Sequence, residues 1–223
     1  MDRMKKYSPK RFGMMMMGNL LIGTGVAFYR MSGFGVDAFS CMNLGISSFL
    51  GMSFGNWQLM VNTMMLIVVW FTKRDCIGPG TIVNMVGVGY TADFLLWLCV
   101  EQAGVQVTMP LRILCLLTGT LFAALGCAFY MAADMGIAPY DSTPLIITKY
   151  AGEKISFRAA RVMADVTAIV IGIVFCLLGR GNIWTIVGLG TILNACCSGP
   201  LIQFFRGRIE QKGFGLAMEK ERQ

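Results

Sequence analysis

What most limits how this chain can fold is that much of it is written twice. Gly18, Leu20, Gly25, Ala27, Phe28, Tyr29 and Gly35 return as Gly119, Leu121, Gly126, Ala128, Phe129, Tyr130 and Gly136, each 101 residues later. The same offset joins Leu44 to Leu145, Ile46 to Ile147, Gly80 to Gly181, Gly87 to Gly188 and Gly89 to Gly190. A shared Ala-Phe-Tyr triplet, flanked by aligned glycines in one ungapped register, is hard to obtain by chance even in an apolar sequence. The chain reads as two copies of one unit of about 100 residues.

Composition decides the solvent. A mean hydropathy of +0.64, with 56% hydrophobic and 14% charged residues, leaves too little polar surface to clothe a soluble globule. Runs such as Phe12 to Met31 and Leu59 to Phe71 have the character of membrane spans. An all-α polytopic membrane protein is expected. The first run follows a basic head (Arg3, Lys5, Lys6, Lys10, Arg11), but it is long and no small-residue cleavage site follows. It reads as the first membrane helix and not as a leader. The net charge of +7 gathers at helix ends, as orientation signals do, and no aromatic-interleaved basic face suggests nucleic acid. None of the eight cysteines has C-x-x-C spacing, and most sit in apolar runs as small hydrophobes. No disulfide framework is expected, and the vicinal pair Cys196 and Cys197 is the one candidate for thiol modification.

The chain divides into a basic cytoplasmic N-terminus (1–11), a first membrane repeat (12–100), a polar linker (101–112), a second repeat (113–205) and a charged cytoplasmic tail (206–223). In the first repeat, helices are expected over about 12–31, 55–72 and 80–100, and in the second over 113–133, 157–178 and 183–205, the last ending at Gly199-Pro200. Between the first two helices of each repeat lies a short polar segment, Val36 to Gly51 and Gly136 to Tyr150. Such segments suit re-entrant or broken helices. Thr143 followed by Pro144 reads as an N-cap and first helical position. If each short segment dips and returns, each repeat crosses three times, and an odd number inverts the second copy. That arrangement, with both termini inside, puts 15 of the 19 Lys and Arg in the cytoplasm and leaves Arg30, Arg112 and Arg180 outside. The expected fold is therefore two inverted repeats of about three plus three membrane helices.

The Gly-x-Ala-Phe-Tyr helix, the Gly-Ile-Ala-Pro-Tyr-Asp turn (Gly136 to Asp141), the Phe-Arg-x-x-Arg-x-x-x-Asp helix start (Phe157 to Asp165) and the Gly-Leu-Gly-Thr of Gly188 to Thr191 resemble the YczE/YitT group of bacterial integral membrane proteins. The similarity covers nearly the whole chain outside the termini. It fits the shorter YczE-like branch, because the extra soluble C-terminal domain that YitT-like members tend to carry is not in this sequence. The resemblance implies a bacterial cytoplasmic-membrane protein and says little about substrate.

Ionisable groups inside a bilayer cost about 2.5–3.5 kcal/mol on insertion scales, so each one needs a reason. Asp93 lies well inside an apolar run, and the 101-residue offset pairs it with Asn194. Arg161 and Asp165, four apart, share a helix face. Asn62 lies at a comparable depth of the first repeat with a two-residue slip. In carriers built from inverted repeats, broken helices aim their partly positive N-termini at a ligand near the midplane. The backbone N–H groups at Ser40, Asn43, Ser142 and Thr143 are expected to face that centre, with Asp37 and Asp141 capping the ends or binding cations. Each of these residues also has a purely structural reading as helix cap, packing contact or self-neutralising pair. Enzyme signatures are missing: no His, no phosphate-binding loop, no nucleophile elbow.

The function expected is a small-solute secondary carrier, for an anionic or zwitterionic substrate. Asp93, Asn194, Arg161, Asp165, Asn62, Asn43, Asp141, Ser142 and Thr143 line its site, without cofactor or metal. Proton or sodium coupling would run through Asp93 or Asp165. Its partners are the lipid bilayer, the solute and, where it oligomerises, copies of itself. The alternative is a scaffold or regulator of a partner complex, with a dry centre.

Overall fold

A computed structural model describes residues 8–151 and 155–211. Arg3, Lys5, Lys6, Lys154 and the tail from 212 onward, which carry part of the expected cytoplasmic charge, lie outside the described residues. Within them the chain is helical and has no strand. The helices are α1 (Pro9–Ser32), α2 (Ala38–Leu50), α3 (Phe54–Thr72), α4 (Pro79–Leu96, continued by wider turns over Trp97–Gln102), α5 (Met109–Ala133), α6 (Pro139–Ala151), α7 (Phe157–Leu178), the single turn α8 (Ile183–Ile186) and α9 (Leu189–Gln211). Six segments are long and apolar enough to cross a membrane, built on α1, α3, α4, α5, α7 and α8–α9. Much of their surface is uncovered aliphatic and aromatic side chain, Phe71 and Trp184 at 76% exposure among them, which suits lipid as solvent.

Local chemistry sets the boundaries. Ser8 caps α1 by accepting from the Arg11 N–H, with Pro9 at the first helical position, and Gly33 ends the helix in the left-handed conformation. Ser53 and Ser156 cap α3 and α7 in the same way, each through the N–H three residues on. The proline at position 144 does not start α6. That helix begins at Pro139, five residues earlier, and Pro144 sits inside it. Nor does Pro200 end the last helix: α9 runs through it to Gln211, and the chain instead breaks at Val187 and Gly188, between α8 and α9.

The centre of the molecule is the crossing of α1 and α5, which glycine makes close. A Cβ on Gly18 would lie 2.7 Å from the Tyr130 nitrogen and 2.8 Å from the Gly126 oxygen. A Cβ on Gly25 would lie 2.8 Å from the Ala123 nitrogen and 2.9 Å from the Gly119 oxygen. Contacts descend one helix as they ascend the other, so α1 and α5 run antiparallel. The pairs also exchange under the 101-residue offset: Gly18 against Gly126 becomes Gly119 against Gly25.

The ends of the two halves clasp each other reciprocally. After α1, the Val36 N–H donates to the Ile186 carbonyl, and the Gly190 N–H donates to Phe34. After α5, the Ile137 N–H donates to the Cys76 carbonyl, and the Gly80 N–H donates to Met135. Gly35 and Gly136, both at positive φ, make these turns against the Gly188 and Gly78 backbones, where a Cβ would fall within 2.8 Å of the partner nitrogen.

These bonds correct the repeat register. Cys76, Gly78, Gly80, Thr81 and Asn84 correspond to Ile186, Gly188, Gly190, Thr191 and Asn194, an offset of 110 and not 101. Thr81 and Thr191 confirm it, each accepting from the glycine N–H three residues before through its hydroxyl. The second half takes up its extra residues in a longer α7 and in the loop over 179–182, while α8 corresponds to the helical turn Arg74–Cys76. Pairing Gly80 with Gly181 or Asp93 with Asn194 followed glycine coincidences, and the mate of Asn194 is Asn84.

Candidate functional site

The most highly charged cluster among the described residues is built where α6 meets α7. Arg161 and Asp165 lie four and eight residues into α7, so roughly 6 and 12 Å from its start, and project from one face. The Arg161 Nε donates to Asp165 at 3.2 Å, as their spacing predicts. Its Nη1 binds Asp141, in the first turn of α6, at 2.7 Å. The Tyr140 hydroxyl donates to the other Asp165 oxygen at 2.6 Å, and the guanidinium stands 5.3 Å from the Tyr140 ring centroid. One cation thus holds two carboxylates, and Tyr140 bonds one of them while its ring meets the cation.

On the other face of Tyr140 lies its repeat mate. Phe39, in the first turn of α2, stacks on the Tyr140 ring with centroids 4.5 Å apart and planes at 24°. The starts of the two short helices therefore meet. Asp37 caps α2 through the Ser40 N–H at 3.0 Å, and its charge is near enough to Asp165 for the two to interact. The expectation of unsatisfied backbone groups here is corrected. Ser40 is capped by Asp37, and Ser142, inside α6, gives its N–H to Ala138. Asp141 is not a cap; it is the second anchor of Arg161.

An open, almost wholly apolar cleft of about 270 Å³ lies between the halves beside Tyr140, with Met42 of α2, Met65 of α3, Thr143 of α6, and Met163 and Ile171 of α7 among its walls; Arg161, Asp141 and Asp165 do not line it. Thr143 thus faces the cleft as a side chain, whereas Ser142 is fully buried and bonded to Ala138. The side chains of Arg161, Asp141 and Asp165 are 38, 45 and 33% uncovered.

Asp93 belongs elsewhere. Arg30, near the end of α1, donates to one of its oxygens at 2.6 Å and lies over the Phe54 ring at 4.8 Å. The Gly55 N–H, in the first turn of α3, donates to the other oxygen at 2.6 Å. With both oxygens taken, Asp93 ties α1, α3 and α4 of the first half together and does not join Arg161 and Asp165 in one site. A cleft of about 410 Å³ opens here, lined by Arg30 and Asp93 themselves together with Ser47, Ser48, Ser53 and Glu101 and by apolar side chains such as Phe54 and Trp97. Arg30, read from sequence as an outward-facing orientation signal, is the partner that the sequence reading missed. The mates of Arg30 and Asp93 in the second half are Met131 and Gln203, so the pair has no counterpart there.

The three asparagines are placed apart. Asn194 accepts from the Ser198 hydroxyl within α9. Asn43 and Asn62 are buried on α2 and α3, at 0 and 1% exposure. Asn43 donates to Phe39, one turn back, and its oxygen has no partner, nor has the Asn62 amide nitrogen. None of the eight cysteines is paired, and Cys196 is exposed on α9 beside half-buried Cys197. The described residues hold no group of three or more His, Cys, Asp and Glu placed to bind a metal.

A family model described as a family of unknown function (DUF6198) matches residues 9–207. The chain is 27% identical over 197 residues to the uncharacterized protein YyaS of Bacillus subtilis (strain 168), covering 87% of this chain and 91% of that one. It is 23% identical over 170 residues to the uncharacterized membrane protein YczE of the same strain, covering 76 and 73%. An uncharacterized protein of Haemophilus influenzae is 24% identical over 185 residues, covering 83 and 78%. No solved structure matches. The matches agree with the YczE-like resemblance and with a multi-pass membrane protein.

Proposed function

The chain belongs to the DUF6198 family, and we propose that it is a carrier of small zwitterionic solutes, built from two halves that lie opposite ways up in the membrane. Each half contributes three full spans (α1, α3, α4 and α5, α7, α9) and one re-entrant helix (α2, α6). The antiparallel glycine crossing of α1 and α5 supports the inversion. The re-entrant reading is supported by α2, whose 13 residues reach about 20 Å, against a hydrocarbon core of about 30 Å. It also runs alongside the second part of α7 in the same direction. Its Cys41 and Gly45 lie against Gly172, and its Phe49 lies against Phe175 and Gly179. Both termini are read as cytoplasmic from the Lys and Arg distribution, and the bacterial relatives suggest the cytoplasmic membrane.

One observation carries the reading: the incompletely covered Arg161–Asp141–Asp165 cluster at the meeting of the two short helices. It offers both signs of charge within one guanidinium's reach. A zwitterion can exchange partners with it, its carboxylate taking the guanidinium and its ammonium a released Asp, without stranding a charge. A lone anion would have to expel a carboxylate into the cleft. Asp165 or Asp37 is the group through which a coupling proton or sodium ion would act.

The experiment is thermal unfolding of the purified protein against a panel of amino-acid and betaine zwitterions, repeated with Arg161→Gln. A solute that binds the folded state raises the wild-type midpoint, and the variant loses the response. Failure of every solute at millimolar concentration, with no uptake into proteoliposomes, contradicts the reading. A scaffold or regulator of a partner complex is then favoured, as the closed glycine crossing, which admits no solute between α1 and α5, already permits.

A further inference from the structure

A second open place, in the first half, carries charge of its own at the far end of α2. Where α7 has Arg161, α3 has the buried Gln58, with Ser53 standing for Ser156. The cleft of about 410 Å³ lies instead against the later turns of α2, at Leu44, Ser47 and Ser48, with Arg30, Asp93 and Glu101 also on its walls. Ser48 is nine residues beyond Phe39, so roughly 13 Å along the helix from the stack on Tyr140. The cleft is thus separate from the Arg161 cluster.

Two groups in it have bonding capacity left over. Asp93 takes Nη1 of Arg30 and the Gly55 N–H, one on each oxygen, so it fixes the guanidinium and offers the cleft little itself. Among the described residues that guanidinium makes no other hydrogen bond, although it also lies over the Phe54 ring. An arginine held on two sides with N–H groups to spare is a preformed receptor for an oxyanion. Glu101 is the second group, exposed and in no ion pair among the described residues. The wide turns that continue α4 bring it to the cleft. Four residues of a regular helix overshoot a full turn by about 40°, so Asp93, Trp97 and Glu101 would drift round the axis. Over Trp97–Gln102 the turns close five residues back, as from the Ala103 N–H to the Leu98 carbonyl, and wind less per residue. The drift is taken back, and all three side chains line one cleft.

We propose that this cleft is a binding site for an ω-amino carboxylate, a zwitterion whose charges stand several methylenes apart. Its carboxylate takes the spare N–H groups of Arg30, and its ammonium takes Glu101 beside the Trp97 ring. Its methylenes lie on Leu44 and Leu96. Asp93, which marks the level of Arg30, and Glu101 are eight residues apart, about 12 Å along α4, a spacing that suits separated charges better than the adjacent ones of an α-amino acid. Arg161 has no part in this site, which stands or falls apart from the carrier reading.

The test is isothermal calorimetry with 6-aminohexanoate, hexanoate and glycine on the full chain in phosphatidylglycerol nanodiscs. Wild type should bind 6-aminohexanoate about tenfold more tightly than hexanoate, which lacks the ammonium, or glycine, whose charges are adjacent. Glu101→Gln should erase the advantage over hexanoate. Arg30→Lys keeps a cation for Asp93 but loses the fork, and should weaken 6-aminohexanoate about tenfold with the unfolding midpoint near wild type. If that variant unfolds early, Glu101→Gln decides alone. Arg161→Gln should bind 6-aminohexanoate as wild type does. No binding to wild type, or undiminished binding in either cleft variant that keeps the wild-type midpoint, overturns the site. So does loss of binding in Arg161→Gln, which would move the ligand to the α6–α7 cluster. Exchanging the lipid for phosphatidylethanolamine, whose headgroup also pairs an oxyanion with an ammonium, should leave the affinity unchanged. Loss of binding in that lipid overturns the soluble ligand and assigns the cleft to a headgroup.

Discussion

The two halves share a scaffold and differ in how they are held. In the first half, Arg30, Asp93 and the Gly55 N–H join three helices through one ion pair, and the short helix carries toward the second half only the capping Asp37. In the second half, Met131 and Gln203 stand at those positions, and the charges lie instead at the less covered Asp141, Arg161 and Asp165. Charge therefore serves packing in one copy and a partly open cluster in the other. The backbone clasps, set by Gly78-x-Gly80-Thr81 and Gly188-x-Gly190-Thr191, do not depend on which side chains carry charge.

Copying one half into the other is the most direct way to break that contrast. Arg30→Met alone should cost about 3 kcal/mol, because it leaves Asp93 with its Gly55 bond but no cation in a largely enclosed place. Arg30→Met combined with Asp93→Gln reproduces the second half and should recover most of the loss, as read by thermal unfolding in detergent. A double variant as unstable as the single one would show that the ion pair does more than neutralise itself. Arg161→Gln, which copies Gln58, should cost less, about 1–2 kcal/mol, since Asp141 and Asp165 remain partly hydrated. Its larger effect is loss of solute binding.

Tyr140→Phe copies Phe39 and removes a hydrogen bond to a carboxylate. About 1.5 kcal/mol of stability should go with it, with the Phe39 stack intact. The smallest effect is expected at the clasps. Thr81→Val should destabilise by about 1 kcal/mol, and Thr191→Val by less. Thr81 also donates to the Ile137 carbonyl at 2.9 Å and is almost fully buried, whereas the Thr191 hydroxyl donates only to the Ile186 carbonyl of α8, at 3.4 Å.

The sequence carried the skeleton of this picture because its signals were local. Gly18 and Gly25, seven apart, announced a close helix crossing, and Gly119 and Gly126 announced its partner. Arg161 and Asp165 announced a shared face. Asp37, next to a short helix, was legible as its cap. Long-range pairing was not legible. Nothing in the spacing joins Arg30 to Asp93, 63 residues apart, or Asp141 to Arg161 across a turn between helices. The last helix misled for a different reason. Glycines recur so often that Gly80, Gly87 and Gly89 found partners at 101, while the more telling Gly-x-Gly-Thr-Ile-x-Asn match requires a gap of nine residues. Pro144 misled because proline is tolerated in an early turn of a helix as well as at its first position, and Pro139 already occupied the start.

The claim on which the rest depends is that the halves are inverted and that α2 and α6 enter and leave by one face. Membrane-impermeant thiol labelling of single cysteines at Met52, Lys73, Glu101 and Tyr150, in a background without the native thiols, tests it most directly. The account predicts that Met52 and Glu101 react from one side and Lys73 and Tyr150 from the other. Lys73 and Glu101 labelled from the same side, or Met52 labelled from the side opposite Glu101, would contradict it.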